Sequence, residues 1–445
     1  MDKKDLRIKE LESQIKELFE KIAELERRLS LNSTNSSKPP ISDGLKKVTR
    51  TKSLRNSNSK KFGGQIGHKG DTLRQTDNPD VTRNYEPLNC TACGNSLEDS
   101  AVQDTIERQE IDIIIKKQVI AHKATVKICS CGNRNIGNIP ENIKAPVQFS
   151  NNVKTIAVYL TNQFISKSRI ERIFSDLFGI NLSDTALIKF DTDCAKKLIP
   201  FYVLVAWAVK NAAIKNADET GVRIAKKTNW LHVLCNEMLT YYRVHEKRGN
   251  MLDGITGTLV HDHWKPYFIM NVMHALCNAH HLRELQSFIE IEKESWAKEM
   301  FDLLTTASKI QEPSPEQQTE ISKKYDTIIA AGLKYHEGMA PLKEKSKKKR
   351  PGHNLLLRLR DFKDDTLRFL YDKDVPFTNN LAERDLRMMK LRQKVSGCFR
   401  TFNGAETFAI IRSFVSTSSK QGQNIFQALL NVFNNTLDFS SLVPT

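Results

Sequence analysis

Hydrophobic positions near the start of the chain recur at alternating steps of three and four: Ile8, Leu11, Ile15, Leu18, Ile22, Leu25 and Leu29. This is a heptad seam, with Ile8, Ile15 and Ile22 at a and Leu11, Leu18 and Leu25 at d. β-Branched residues at a with leucine at d favour a parallel pair of helices, so residues 1–31 are expected to form a dimerising coiled coil. The plainer alternative is an amphipathic helix packed on its own chain. The period stops at "LNSTNSSKPPISDG", where Pro39 and Pro40 forbid a continuing helix. Further on, "RQEIDIIIKKQVIAHKATVKI" reads as strand and residues 147–198 as helix, with Ile170, Ile173, Phe174 and Leu177 on one face. Within that region "FGINLSDTALIKF" supplies a glycine turn and a Ser183 or Asp184 cap for a second helix. That is the outline of a helix–turn–helix that could enter a DNA groove, and equally of an ordinary helical hairpin. The apolar run "FYVLVAWAVK" reads as strand-like. After it, "NAAIKNADETGVRIA", "TNWLHVLCNE" and "LTYYRVHEKRG" predict three successive antiparallel strands, and "GTLVHDHW" a further apolar strand.

Charge changes the picture next. The 445-residue chain carries a formal charge of +16, which points to an anionic partner, with nucleic acid the leading candidate. Ten of the basic residues lie between Lys38 and Arg74, against only Asp43 and Asp71. Such an arm (residues 32–80) cannot bury a core; it is a solvated linker or a segment that orders against phosphate. No apolar stretch is long enough to span a bilayer and no secretory leader is evident, so the chain is expected in the cytoplasm, with no membrane partner. In that compartment its 8 cysteines suggest metal ligands before disulfides. Cys90 and Cys93 in "NCTACGNSL", and Cys129 and Cys131 in "CSCGNRN", fit a structural four-thiolate zinc site; the alternative is four reduced thiols.

Candidate chemistry rests on acids. Asp218 and Glu219 are adjacent in a predicted strand, so they should face opposite sides of the sheet and cannot share one site. Phosphodiester chemistry needs carboxylates gathered from distant segments, holding two Mg²⁺ ions about 3.5–4 Å apart. Asp218 and Asp262, each on an apolar strand, are suitable first members. Glu383 in "NNLAERDLRMMKLRQK" is the best third, inside a predicted helix with Arg384, Arg387, Lys390 and Arg392 as candidate DNA contacts. The 120 residues between Asp262 and Glu383 predict a helical insertion over about 285–370. Cys277 and His280 stand three apart in "HALCNAHHLREL", with His281 adjacent: metal ligands, a site-shaping role for His280, or ordinary helix packing.

The segments "SSKPPISDG", "GGQIGHKG", "NADETGVRI", "CNAHHLREL" and "NNLAERDLR" occur in an order that resembles the insertion-sequence-66 family of bacterial transposases, from about residue 30 to about residue 430. The resemblance implies a multidomain α/β chain: a ribonuclease-H-like catalytic core (a mixed sheet with helices) carrying a helical insertion, preceded by a coiled coil and a small zinc-binding domain. It implies an Asp-Asp-Glu triad of Asp218, Asp262 and Glu383, with Asp253 in "NMLDGITG" as the fallback for the second acid. It also implies Mg²⁺ or Mn²⁺ at the triad, structural Zn²⁺ on the thiols, transposon-end and target DNA as partners, and a bacterial, nucleoid-associated location. The expected division is coiled coil 1–31, basic arm 32–80, zinc-binding domain 81–140, helical DNA-binding region 141–200, catalytic domain 201–400 and a helical segment 401–445. The competing readings are a non-catalytic DNA-binding relative and a plain metal-dependent nuclease.

Overall fold

The computed structural model describes residues 72–249, 253–339 and 349–443, together with ten helical positions between 7 and 25. The seam residues Ile8, Leu11, Ile15, Leu18, Ile22 and Leu25 are all exposed on the single chain. The basic arm before residue 72, and positions 340–348 of the lysine-rich run, lie outside the described residues. No helix among the described residues is long and apolar enough to cross a membrane.

The stretch "RQEIDIIIKKQVIAHKATVKI" does not form the strand that its alternation predicts. Ile106, Ile111, Ile113, Ile114, Val119 and Ile120 are exposed and irregular. Only Val126–Ile128 (β1) pairs, antiparallel, with Arg134–Ile136 (β2). An alternating pattern becomes a strand only where a partner edge and an apolar face receive it.

The predicted helical region forms as three helices. Ser150 caps α1 (Asn151–Asn162) by accepting from the Val153 N–H, and α2 (Lys167–Phe178) ends at Gly179 in the left-handed region, φ 59°. Ser183 caps α3 (Asp184–Lys197), whose residues Leu187, Phe190, Cys194 and Ala195 are buried. The run "FYVLVAWAVK" is not a strand but most of α4 (Ile199–Asn211). Pro200 stands in its first turn, and Phe201, Val205, Ala208 and Val209 are buried at helical spacing. In a continuous apolar run that period is invisible, because residues facing away are apolar too.

The meander then forms as expected: β3 (Ile214–Ile224), β4 (Lys227–Cys235) and β5 (Thr240–His245) pair antiparallel in turn. Ala225 and Lys226 make the β3–β4 hairpin with φ 47° and 66°, the two positive values that match the twist of a two-residue hairpin. Two further strands, β6 (Thr258–His261) and β7 (Met273–Leu276), add parallel to β3, giving the order β5-β4-β3-β6-β7. Helix α5 (Asn278–Ser287) follows β7.

The insertion is a helical unit with its own core. Leu304 of α6 (Ser295–Ala307), Tyr325 of α7 (Pro315–Glu337), Leu356 of α8 (Pro351–Asp361) and Leu367 of α9 (Lys363–Tyr371) belong to one buried cluster. The chain returns to the sheet through α10 (Asn380–Ser396). Helix α11 (Phe402–Lys420) packs on β5, and α12 (Ile425–Asn434) joins the cluster that covers Ala217 and Leu234. Ala382, Leu386 and Met389 of α10 cover the opposite face, with Val222, Ile224, Leu231 and Val233.

Candidate active site

The site begins where two parallel strands part. The β3–β6 ladder runs from Ile214–Thr258 to Asn216–Val260 and stops there. Asp218 and Asp262 each stand two residues beyond that last pair. Strand parity places Asp218 with Val222 and Ile224 on the face covered by α10. A crevice outside the carboxyl end of parallel strands, beside the strand at which the order reverses, is where sheets of this kind hold ligands.

Helix α10 carries Glu383 to the start of α5, near enough to Asp218 to oppose its ionisation. Glu383 lies in its first turn, and its carboxylate is 3.6 Å from the Arg283 guanidinium and 3.9 Å from His280 Nδ1, both on α5. Glu383 Oε1 and His280 Nδ1 are buried without a hydrogen-bond partner. Among the described residues, one group of three metal-capable side chains has ligand atoms all within 4.8 Å of one another: Cys277, His280 and Glu383. The Cys277 thiol is already engaged, accepting from the Asn379 N–H at 3.1 Å.

Glu219 points the other way, and it is far from idle. Its side chain is 1% exposed and accepts two hydrogen bonds from Arg248, at 3.0 Å from Nε and 2.7 Å from Nη2. The Tyr267 hydroxyl donates to its other oxygen. The Arg248 guanidinium is itself sandwiched between Trp230 and Trp264, 4.7 and 4.2 Å from their ring centroids.

The carboxylates influence one another electrostatically. Burial raises the Asp218 carboxyl well above the usual carboxylate range, and Glu219, Asp262 and Glu383 each push it further; the Glu219 N–H, donating at 2.8 Å, opposes them. Asp262 is raised by burial and by Glu219, with His280 and the Trp264 N–H pulling it down. Desolvated carboxylates that repel one another are unstable as a set unless protons or cations join them.

The other sequence candidates fall in several places. Arg384 and Arg387 are exposed and Lys390 is half-buried. Arg392 is half-buried: its guanidinium lies 4.7 and 4.8 Å from the Phe399 and Phe408 centroids, and burial lowers its pKa. A helix of seventeen residues turns its basic positions to every side, and this one meets Phe399 and, on α11, Phe408. Asp253 sits on an exposed turn outside the sheet. Each cysteine pair closes a tight turn, Gly94 N–H to Cys90 O at 2.9 Å and Gly132 N–H to Cys129 O at 2.8 Å. Backbone N–H groups within each turn lower the pKa of Cys90 and of Cys129. The thiols are close within each pair, but no three of the four lie within ligand distance of one another. Sequence reasoning missed Arg248, Tyr267 and Asn379. Only Asn379 had a signal, its place in "NNLAER".

Comparison with known proteins agrees with the motif order. A family model described as Transposase IS66 family matches residues 147–407, more than half of the chain and all of the site. Residues 2–74 match a family of unknown function. No curated protein matches the chain. By the extent of the first match, the chain belongs to the Transposase IS66 family.

Proposed function

We propose that this protein is a DNA transposase of the Asp-Asp-Glu type, cleaving DNA at the ends of its element and joining the freed 3′-hydroxyls to target DNA. The observation that carries this reading is that Asp218 and Asp262 stand two residues beyond the end of the β3–β6 ladder, with Glu383 on α10 near enough to Asp218 to oppose its ionisation. The strand order, three antiparallel strands followed by two parallel ones, supports a ribonuclease-H-like core. The donor set fits hard divalent cations: three carboxylates, one with a buried and unpartnered oxygen, in a site where they repel.

Asp218, Asp262 and Glu383 would hold Mg²⁺ or Mn²⁺. Such ions activate the attacking water or 3′-hydroxyl and stabilise the leaving oxygen of an in-line displacement. Asp218 and Asp262 face the crevice from the sheet, and Glu383 closes it from α10. Arg283 and His280 hold the Glu383 carboxylate from the α5 side. The exposed Arg384 and Arg387, on the same helix, offer charge to the DNA backbone close to the scissile bond. Arg248 and Tyr267 hold the Glu219 carboxylate on the other face of β3, near enough to raise both Asp218 and Asp262.

Incubation with DNA containing the element's ends tests the reading. Mg²⁺- or Mn²⁺-dependent cleavage followed by joined products is the expected result. Cleavage without joining identifies a plain nuclease, and binding without cleavage a non-catalytic relative.

Two assembly features accompany this proposal. Six exposed seam residues at heptad spacing support a parallel homodimer. Leu11→Asp with Leu18→Asp should halve the mass measured by light scattering; an unchanged mass would place the dimer contact elsewhere. The N–H-bonded turns at Cys90 and Cys129 support zinc binding by the two cysteine pairs once they are brought together.

A further inference from the structure

Asn379 occupies the N-cap of α10 but does not cap it with its side chain. An asparagine there ordinarily turns its carboxamide back onto the first N–H groups of the helix. Here the carboxamide reaches the sheet instead. Its Nδ2 donates to the Ala217 carbonyl at 2.8 Å, and its Oδ1 accepts from Asn216 Nδ2 at 2.8 Å. Those two residues are the last of β3 paired with β6 and the one that follows it, so the carboxamide sits where the strands part, immediately before Asp218.

The backbone of Asn379 is committed as well. Its carbonyl accepts from the Glu383 N–H at 3.2 Å, which fixes the turn that carries the third acid. Its N–H donates to Cys277 Sγ, and Cys277 is the N-cap of α5, whose carbonyl accepts from the His280 N–H at 3.1 Å. Asn379 is 1% exposed. One buried residue therefore joins the three elements that carry Asp218, Glu383 and His280, with all four of its bonds at hydrogen-bonding distance.

We propose that Asn379 is a positioning residue for the divalent-cation site: its carboxamide sets the spacing of Glu383 against Asp218, and its N–H sets α5 against both. This rests on the catalytic reading given above. A displacement of about 1 Å at such a site costs on the order of 10²-fold in rate. Replacing the groups that orient ligands costs about 10–100-fold in metal affinity or activity.

The test is Mn²⁺ binding to the full chain without DNA, followed by electron paramagnetic resonance, for wild type, Asp218→Asn, Asn379→Asp, Asn379→Ala and Asn216→Ala. Asn379→Asp keeps the acceptor for Asn216 but places an oxygen against the Ala217 carbonyl. As a bare charge it would strengthen cation binding; as a loss of position it should weaken it by about tenfold or more. Asn379→Ala should weaken binding similarly, with cleavage slowed at saturating DNA, partly recovered by added Mn²⁺, and affinity for end DNA unchanged. Asn216→Ala, which keeps the Ala217 bond, should give a smaller change in the same direction. If both Asn379 variants fail to fold, Asn216→Ala carries the test, and unaltered Mn²⁺ binding there overturns the proposal. Wild-type affinity in a folded Asn379→Asp protein also overturns it. If Asp218→Asn binds Mn²⁺ as wild type does, the triad assignment itself fails, whatever the Asn379 variants show.

Discussion

Asp218→Asn is expected to abolish cleavage and joining, by on the order of 10²–10³-fold at least, while making the metal-free protein more stable at neutral pH. The first effect follows from losing one of three carboxylates at the crevice. The second follows from what the carboxylate endures without cations. It is buried, and Glu219, Asp262 and Glu383 all oppose its ionisation, so its folded pKa lies well above the unfolded value. For an acid raised in this way, both states are protonated below about pH 4 and the cost is absent. As pH rises from there towards the folded pKa, the unfolded chain releases the proton first, and stability is lost progressively. Asparagine has no such proton and keeps an oxygen for the Glu219 N–H. The melting temperature in EDTA should therefore fall from pH 5 to pH 8 more steeply in wild type than in Asp218→Asn. Mn²⁺ should reverse the order, because a ligand bound only by the folded protein stabilises it. A variant that melts lower than wild type in EDTA across that range would contradict the crowding described here.

Arg248→Ala should be the most damaging substitution outside the three acids. It leaves Glu219, 1% exposed, with only the Tyr267 hydroxyl, close to Asp218 and Asp262. Breaking a buried pair from one side costs about 3–5 kcal/mol. Arg248 is 40% exposed, and solvent screening reduces the figure to about 2–3 kcal/mol. Loss of the stack between Trp230 and Trp264 is part of the same change. The apparent melting temperature should fall by about 4–8 °C. The double variant with Glu219→Gln should recover most of that loss, because the stranded charge is gone. If the two substitutions simply add, Arg248 acts through the tryptophans and not through Glu219.

Local signals in the chain were readable wherever neighbours in sequence decide structure. The Ser183 cap after the Gly179 turn and the three-strand meander both depend on residues within a few positions of each other. The split between Asp218 and Glu219 was readable for the same reason, since strand parity alone separates their faces. Readings failed where a distant partner decides. "FYVLVAWAVK" is a helix whose one face is received by the sheet, α3 and α11, which a uniformly apolar run cannot announce. The isoleucines from 106 to 120 remain irregular because no strand edge receives them. Arg392 is half-buried against Phe399 and Phe408, neighbours that its place in the sequence does not reveal.

What the sequence determined by itself is therefore the inventory: the family, through motifs in order, and the acids and helices at which its chemistry would be sought. The tertiary structure decided their relations. The β3–β6 ladder ends two residues before Asp218 and Asp262, and Asn379 spans from α10 to β3 across 162 positions of chain. Arg248 reaches Glu219 from the far side of the meander, over 29 positions. The physical reason is that hydrogen bonds and charges act over a few ångströms of space, whereas sequence reports only distance along the chain.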